Sequence, residues 1–238
     1  MNSKLENNKS KLPFVFVNMA MTADGKIATA NRSVHSFGSA RDLEHLYELR
    51  ATADAVMCGA RTVEVSKTIL GTGSEKFRKQ RLKHGLAEYN LRVIVSGGGS
   101  IHPAAEIFKK KISPVIVLTT ERTSAKKLTQ LRTLADEVKV FGETEVNFRL
   151  ALRWLRAKWG VKRLLCEGGG ELNDALFRAG LVDDINLTIC PKIFGGRTAP
   201  TIADGRGFQP LASAARFELT SIKRKKAELF TVFSRRKV

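Results

Sequence analysis

Short apolar runs alternate with amphipathic stretches through most of this chain. Phe14–Met19 (FVFVNM), Asp54–Gly59 (DAVMCG), Leu91–Val95 (LRVIV), Val115–Thr119 (VIVLT), Glu137–Phe141 (EVKVF), Arg163–Cys166 (RLLC) and Asp183–Cys190 (DDINLTIC) read as strands. Each is too short for a helix, and most are rich in β-branched or apolar residues. Between them the apolar residues recur at helical spacing. Ser39 is placed to cap a helix over Ala40–Ala51, with Leu43, Leu46, Tyr47 and Arg50 along it. Ala60–Val63 opens a short helix, and Ser124–Leu134 and Asn147–Lys158 form longer ones. After residue 190 the alternation stops, and Phe217–Lys223 and Glu228–Arg235 follow one another as strands. The pattern predicts an α/β fold, a predominantly parallel mixed sheet flanked by helices, with antiparallel strands at the C-terminal end. Neither a repeat nor a linker breaks it, so 13–238 reads as one domain behind a frayed polar tail at 1–12. Two loops stand out: Asn31–Phe37 is polar, and Ser66–Asn90 is polar, basic and poorly patterned, long enough to suggest function or mobility.

One junction draws more attention than the rest. Arg163–Cys166 ends at Glu167, Gly168, Gly169 and Gly170 follow, and Glu171–Phe177 begins a helix with Leu172, Ala175 and Leu176 on one face. Glycine lets backbone approach a ligand, and the N–H groups of a new helix attract phosphate. A single glycine would make the turn without any ligand; three beside an acid favour a site. Glu167 would repel phosphate, so it is better suited to a group that donates hydrogen bonds. A second triple glycine follows a strand at Ser96–Ser100, and Gly59–Thr62 follows another, the strand ends where open sheets hold ligands. Asp24-Gly25-Lys26 is a turn with a lysine, and taken alone it is best read as an ordinary solvated turn.

Composition narrows the chemistry. A 238-residue chain with 43% hydrophobic and 27% charged residues is a soluble globular protein able to bury a core. Its longest apolar runs fall far short of the roughly 20 residues that span a bilayer. The three cysteines, Cys58, Cys166 and Cys190, lie far apart in apolar surroundings, which implies a reducing, cytoplasmic setting. The four histidines are scattered, and no metal spacing is present. Hydrolase elbows, Walker loops and the spaced dinucleotide fingerprint are all missing. The net charge of +18 is dispersed along helices and tails without interleaved aromatics. That ranks a phosphorylated small molecule above nucleic acid as the partner. The remaining inventory, Gly/Thr/Ser strand ends with a few fixed charges (Asp24, Lys26, Arg50, Glu167), suits an enzyme whose cofactor supplies the reactive atom.

Met21–Ala28 (MTADGKIA), Leu49–Val63 (LRATADAVMCGARTV), Leu164–Asn173 (LLCEGGGELN) and Ala179–Phe208 occur in the order found in the riboflavin-biosynthesis pyrimidine reductases, which have the dihydrofolate reductase fold. The chain resembles that family from Phe14 to about Phe233, and most resembles its stand-alone archaeal and fungal type. The fused zinc deaminase of many bacteria, with its His-x-Glu and Pro-Cys-x-x-Cys signature, is absent. The resemblance implies NADPH as cofactor and hydride transfer to C1 of the ribosyl chain of a phosphoribosylamino-pyrimidine, giving the ribitylamino form. It implies cofactor contacts at Met21, Thr62, Ser66, Ser96, Gly97, Val146, Gly168, Gly169, Gly170, Glu171 and Leu172. Lys26, Arg50 and Glu167 become substrate contacts, two cations for phosphate and sugar hydroxyls and one acid for the pyrimidine ring. Lys26 and Asp24 are the catalytic candidates, with Asp24 holding Lys26 or orienting its turn. Arg61 and Arg92 are candidates for a clamp on the cofactor's 2′-phosphate, set against a plain solvated role. No metal is implied, and a homodimer is.

Two segments depart from the family: Ser96–Gly99 stands where its members usually carry Asp-Ser, and the larger departure lies earlier in the chain. Where its members carry an acid-rich Asp-Asp-Pro-x-Leu-Thr-x-Arg stretch, this chain has Ser66-Lys67-Thr68-Ile69-Leu70-Gly71-Thr72-Gly73. Ser66 keeps a hydrogen-bonding group for the cofactor, and Arg78 or a nearby lysine is the replacement for the lost arginine. The departure leaves two rivals: a reductase of dihydromethanopterin or dihydrofolate on the same fold, and a non-catalytic basic protein associated with nucleic acid.

Overall fold

The structure is a computed structural model of the whole chain, and it describes residues 12–32 and 37–236. Residues 1–11 of the polar tail expected at 1–12, and residues 33–36 of the Asn31–Phe37 loop, including His35, lie outside the described residues. The elements, in order, are β1 (Phe14–Thr22), α1 (Ala40–Arg50), β2 (Ala55–Gly59), α2 (Ala60–Ser66), α3 (Glu75–Lys83), β3 (Leu91–Val95), α4 (Glu106–Lys109), β4 (Val115–Thr119), α5 (Ala125–Leu134), β5 (Glu137–Val140), α6 (Phe148–Trp159), β6 (Arg163–Cys166), α7 (Gly170–Arg178), β7 (Asp184–Cys190), β8 (Phe217–Lys225) and β9 (Glu228–Arg235). Every strand read from the sequence is present, and the sheet is largely parallel with antiparallel strands at its C-terminal end.

The chain groups into two compact units, one built on Arg50–Leu165 and the other on Val15–Leu49 with Cys166–Val238. In the first, the strands run in the order β5-β4-β3-β2-β6. β2, β3, β4 and β5 pair in parallel, with Gly59 level with Val95 and Val95 level with Leu118. Their inward residues are Val56, Met57, Val93, Ile94, Ile116 and Leu118, all buried. Parallel strands with helices on them are apolar on both faces, which is why they read as continuous runs. In the second unit the order is β1-β7-β9-β8; β1 and β7 are parallel, and β9 returns antiparallel to both β7 and β8. There α1 packs on β9 through His45, whose ring meets Phe230 edge-on at 5.3 Å. Ser39 caps α1 as expected, its hydroxyl accepting the Asp42 N–H at 3.3 Å.

The long Ser66–Asn90 stretch is more structured than its pattern indicated. It contains α3, whose inward face is Phe77 and, one turn later, Arg81. An arginine reads as surface, but Arg81 is 1% exposed and its guanidinium donates to the carbonyls of Arg50, Ala53 and Ala87. Burial lowers its pKa to about 10, so it remains a cation serving carbonyls that the end of α1 leaves over.

Cys58, Cys166 and Cys190 are free and buried. Burial pushes the thiols of Cys166 and Cys190 up to about 12, with neighbouring acids adding to it. Both are therefore neutral thiols at pH 8, and thiolate is the reactive form. The native protein is expected to leave a chromogenic disulfide reagent unconsumed at pH 8 and to consume three equivalents once unfolded in guanidinium, matching its three cysteines. Rapid reaction of any native thiol would contradict this burial.

Candidate functional site

In the second unit the site begins where β6 ends. Cys166 is buried, Glu167 is half-buried, and the chain passes through Gly168 and a cis Gly168–Gly169 peptide into α7. Ser124 caps α5 and Asn147 caps α6 with a side chain, whereas α2, α3 and α4 open without one. α7 opens from extended Gly169 with no side-chain cap. Met19 of β1 packs against Gly168, its sulfur 2.8 Å from the place a Cβ would take. Met21, two residues along the strand, projects from the same face of β1.

Gly170 is crowded from the other side. A Cβ there would lie 2.7 Å from the Thr201 carbonyl oxygen and 2.7 Å from Asp204 Oδ2. Both belong to a strap over Ala199–Gly207 that is tied to α7 at three points. The Asp204 N–H donates to the Gly170 carbonyl (3.1 Å), Asn173 Nδ2 donates to the Ile202 carbonyl (2.9 Å), and the Gly207 N–H donates to Asp174 Oδ1 (3.2 Å). The strap's other end reaches the Asp24-Gly25-Lys26 turn. Lys26 Nζ donates to the Ala199 carbonyl at 3.1 Å, and the Ile27 N–H donates to the Pro200 carbonyl at 2.9 Å. The sequence analysis placed no site residue in this segment, yet it joins the lysine turn to the triple glycine.

Asp24 and Lys26 do not pair. The Asp24 carboxylate accepts the Thr22 hydroxyl (2.5 Å) and the N–H groups of Gly195 (2.7 Å) and Phe194 (3.2 Å). The Thr22 bond first, then those backbone bonds, hold its pKa below the ordinary carboxylate range against the opposing effect of burial. Of the two structural options for Asp24, the geometry is that of orienting the turn. Among the described residues no carboxylate forms an ion pair with Lys26.

In the first unit, the remaining predicted residues leave one edge of the parallel strands. Gly59 and Val95 are in register, so α2 and the Ser96–Gly99 loop emerge side by side. Thr62 is half-buried on α2 and its carbonyl accepts the Ser66 hydroxyl at 2.5 Å; Ser66 is exposed. Ser96 is buried, Gly97 half-buried, and Val146, half-buried before α6, follows β5 at the same edge. Arg50 is only 5% exposed and donates to the Gly71 carbonyl at 2.7 Å. Asn90 completes that hold: its Nδ2 donates to the Leu70 carbonyl (2.8 Å) and its Oδ1 accepts the Thr72 hydroxyl (3.0 Å). The core of the departing Ser66–Gly73 segment, Leu70–Thr72, is thus buried and pinned. Arg78 donates to the Gly73 carbonyl at 3.3 Å.

Arg92 is a correction. It is 1% exposed, its guanidinium donates to the Ile107 and Ser113 carbonyls, and burial lowers its pKa to about 10. A side chain so enclosed has no reach to a ligand phosphate. Arg61, by contrast, is exposed on α2. Among the described residues no group of three or more His, Cys, Asp and Glu could hold a metal, and no helix is long and apolar enough to cross a membrane.

The family model described as RibD C-terminal domain matches residues 13–230. The 2,5-diamino-6-ribosylamino-4(3H)-pyrimidinone 5′-phosphate reductase of Methanothermobacter thermautotrophicus is 35% identical over 207 residues, covering 87% of this chain and 91% of that protein. The protein of the same name from Archaeoglobus fulgidus is 36% identical over 196 residues, covering 82% and 88%. A pyrimidine reductase-like protein of Corynebacterium diphtheriae superposes with a TM-score of 0.80 over 95% of this chain and 93% of that one, at 20% identity, a likeness of fold alone.

Proposed function

The chain belongs to the RibD C-terminal domain family, and on that premise we propose that it is the NADPH-dependent reductase that converts a phosphoribosylamino-pyrimidine to its ribitylamino form in riboflavin biosynthesis. The observation that carries this reading is the strap: it ties the Lys26 ammonium, through the Ala199 carbonyl, to the uncapped glycine start of α7. A substrate cation and a backbone seat for a cofactor phosphate are thereby fixed to one another in a single compact unit.

The residues fit a dinucleotide. The α7 opening offers backbone with no side-chain cap, and a Cβ on Gly168 or Gly170 would collide with what already packs there. Gly168–Leu172 and Met21 are the cofactor residues we assign in this unit; Thr62, Ser66, Ser96, Gly97 and Val146 are those we assign in the first unit, each unit taken by itself. When bound, the reduced nicotinamide supplies a hydride to C1 of the opened sugar. The protein's own contribution is position and charge. Lys26 directs its remaining ammonium donors to substrate phosphate or to a proton-accepting oxygen. Arg50 supplies a second cation from the end of α1, and Glu167 accepts hydrogen bonds from the pyrimidine ring. Asp24 keeps the turn in shape without neutralising the lysine.

The test is isotopic. With cofactor deuterated at the transferred position, deuterium is expected at the ribityl C1 of the product. Product without it would sink the assignment. Cofactor oxidation measured in parallel against dihydrofolate and dihydromethanopterin settles the rival pterin reading, which requires turnover there and none with the phosphorylated pyrimidine.

A further inference from the structure

Three threonines at the end of β4 and just after it are buried with no role in the contacts above. Thr119 and Thr120 are 0% exposed and Thr123 is 4% exposed. Their hydroxyls converge on the loop that leaves β3. Thr119 Oγ1 donates to the Ser96 carbonyl and Thr120 Oγ1 to the Gly97 carbonyl, both at 2.6 Å. Thr123 shares a hydrogen bond with Thr119 and lies 3.4 Å from the Gly97 carbonyl. On the rim, Lys127 Nζ donates to the Gly98 carbonyl at 3.1 Å and to Ser100 Oγ at 3.0 Å. Three successive carbonyls are each held by a side-chain donor.

The consequence concerns the N–H groups. In a trans peptide the N–H points opposite to the C=O, and the peptides of this loop are trans. Drawing the Ser96 and Gly97 carbonyls onto the threonines turns the Gly97 and Gly98 N–H groups away from them. Neither N–H has an acceptor among the described residues, and both glycines are half-exposed. The turn closes behind them: the Gly99 N–H donates to the Ser96 carbonyl at 3.1 Å. Gly99 sits at φ +62°, with Thr123 Cγ2 only 2.4 Å from where a Cβ would be, so only glycine closes this turn. Two neighbouring outward N–H groups beside a lysine make a concavity for an anion.

We propose that Thr119 and Thr120 are positioning residues that hold the Gly97 and Gly98 N–H groups as a preformed two-donor seat for a phosphate group of the dinucleotide, with Lys127 bracing the rim. This rests on the cofactor reading above and deepens it, because it names the residues that shape the first unit's contact without touching the ligand. Glycines lack the side chain that would keep these peptides from rotating, so the hydroxyls fix the orientation. Removing one hydroxyl isosterically therefore acts on binding more than on chemistry.

The experiment uses the full chain and the variants Thr120→Val, Thr120→Ser and Lys127→Met. By fluorescence titration, Thr120→Val is expected to bind NADPH about tenfold more weakly, the equivalent of one lost hydrogen bond. Its kcat and its KM for the pyrimidine stay near wild type, and Thr120→Ser, which keeps the hydroxyl, binds as wild type does. Inorganic phosphate should shift the Gly97 and Gly98 amide resonances in wild type and Thr120→Ser and leave them unmoved in Thr120→Val. Competition by 2′-AMP and by ADP identifies which phosphate is seated, as the competitor whose affinity Thr120→Val weakens. A folded Thr120→Val with undiminished NADPH affinity, or a Thr120→Ser as weak as the valine variant, overturns the seat. Should the valine variant not fold, the exposed Lys127→Met decides: about threefold weaker NADPH binding supports the seat and unchanged binding overturns it. A wild type that binds no NADPH overturns the cofactor reading and the seat together. A wild type that binds it while every variant is indifferent overturns the seat alone.

Discussion

Gly170→Ala is expected to cost about 1–3 kcal/mol of stability and to lower kcat/KM by at least about a hundredfold. The reason is what surrounds the missing side chain. An alanine Cβ would sit 2.7 Å from Asp204 Oδ2 and 2.7 Å from the Thr201 carbonyl oxygen. The aspartate can swing aside. The carbonyl cannot move alone, because it belongs to a strap held by the Gly170 carbonyl, by Asn173 and by the Ile27 N–H. Relief requires the strap to lift as a body, and the strap carries the Ala199 carbonyl that holds Lys26 Nζ. One methyl group thus disturbs both the glycine start of α7 and the lysine proposed to meet the substrate. Thermal unfolding and steady-state kinetics measure the two effects separately. The double variant Gly170→Ala/Asp204→Ala is expected to stay impaired, since the backbone obstacle remains. A Gly170→Ala protein with wild-type melting temperature and kcat/KM would show that the strap is not rigidly attached.

The contrast between what the sequence displayed and what it concealed follows from the range of the interactions. Strands such as Val115–Thr119 are apolar on every residue because both faces are buried, and that signal is local. The helix over Phe148–Trp159 is amphipathic and capped by Asn147, again within a few residues. The strand-glycine-helix junction at Glu167–Gly170 is equally local, which is why a candidate site was legible there. The hidden features pair distant residues or put charge inside. Lys26 finds its acceptor at Ala199 and Asn173 finds its own at Ile202, and nothing near either residue in sequence marks the partner. Arg50, Arg81 and Arg92 look like solvated cations, but each is buried against carbonyls. Arg81 hid α3 altogether by occupying its inward face. The Ser66–Gly73 segment looked like a degraded loop because its missing acids and arginine were visible, whereas Asn90 and Arg50, which pin it, lie outside it.

Lys26→Met should lower kcat/KM for the phosphorylated pyrimidine by about 10²–10³, the usual effect of removing one preorganised donor from an active site. Methionine keeps the aliphatic stem, so the change isolates the ammonium. That ammonium has three N–H donors; the Ala199 carbonyl takes one, which fixes its position and leaves two for a ligand. Its charge is not cancelled by the adjacent acid, because the Asp24 carboxylate is engaged by Thr22, Phe194 and Gly195. A cation held in place, half-buried and unpaired is suited to a dianionic phosphate, since partial exclusion of water strengthens the attraction. The same substitution should therefore have little effect on the dephosphorylated substrate, whose wild-type kcat/KM is already lower by the interaction Lys26 makes. Equal losses on both substrates would move Lys26 from phosphate binding to proton delivery. Arg50 is the poorer probe of the same idea. Its guanidinium holds the Gly71 carbonyl inside the fold, so Arg50→Ala combines a binding defect with loosening of the Leu70–Thr72 segment. The Lys26 substitution carries no such burden, and the difference between its two substrates reads the phosphate contact directly.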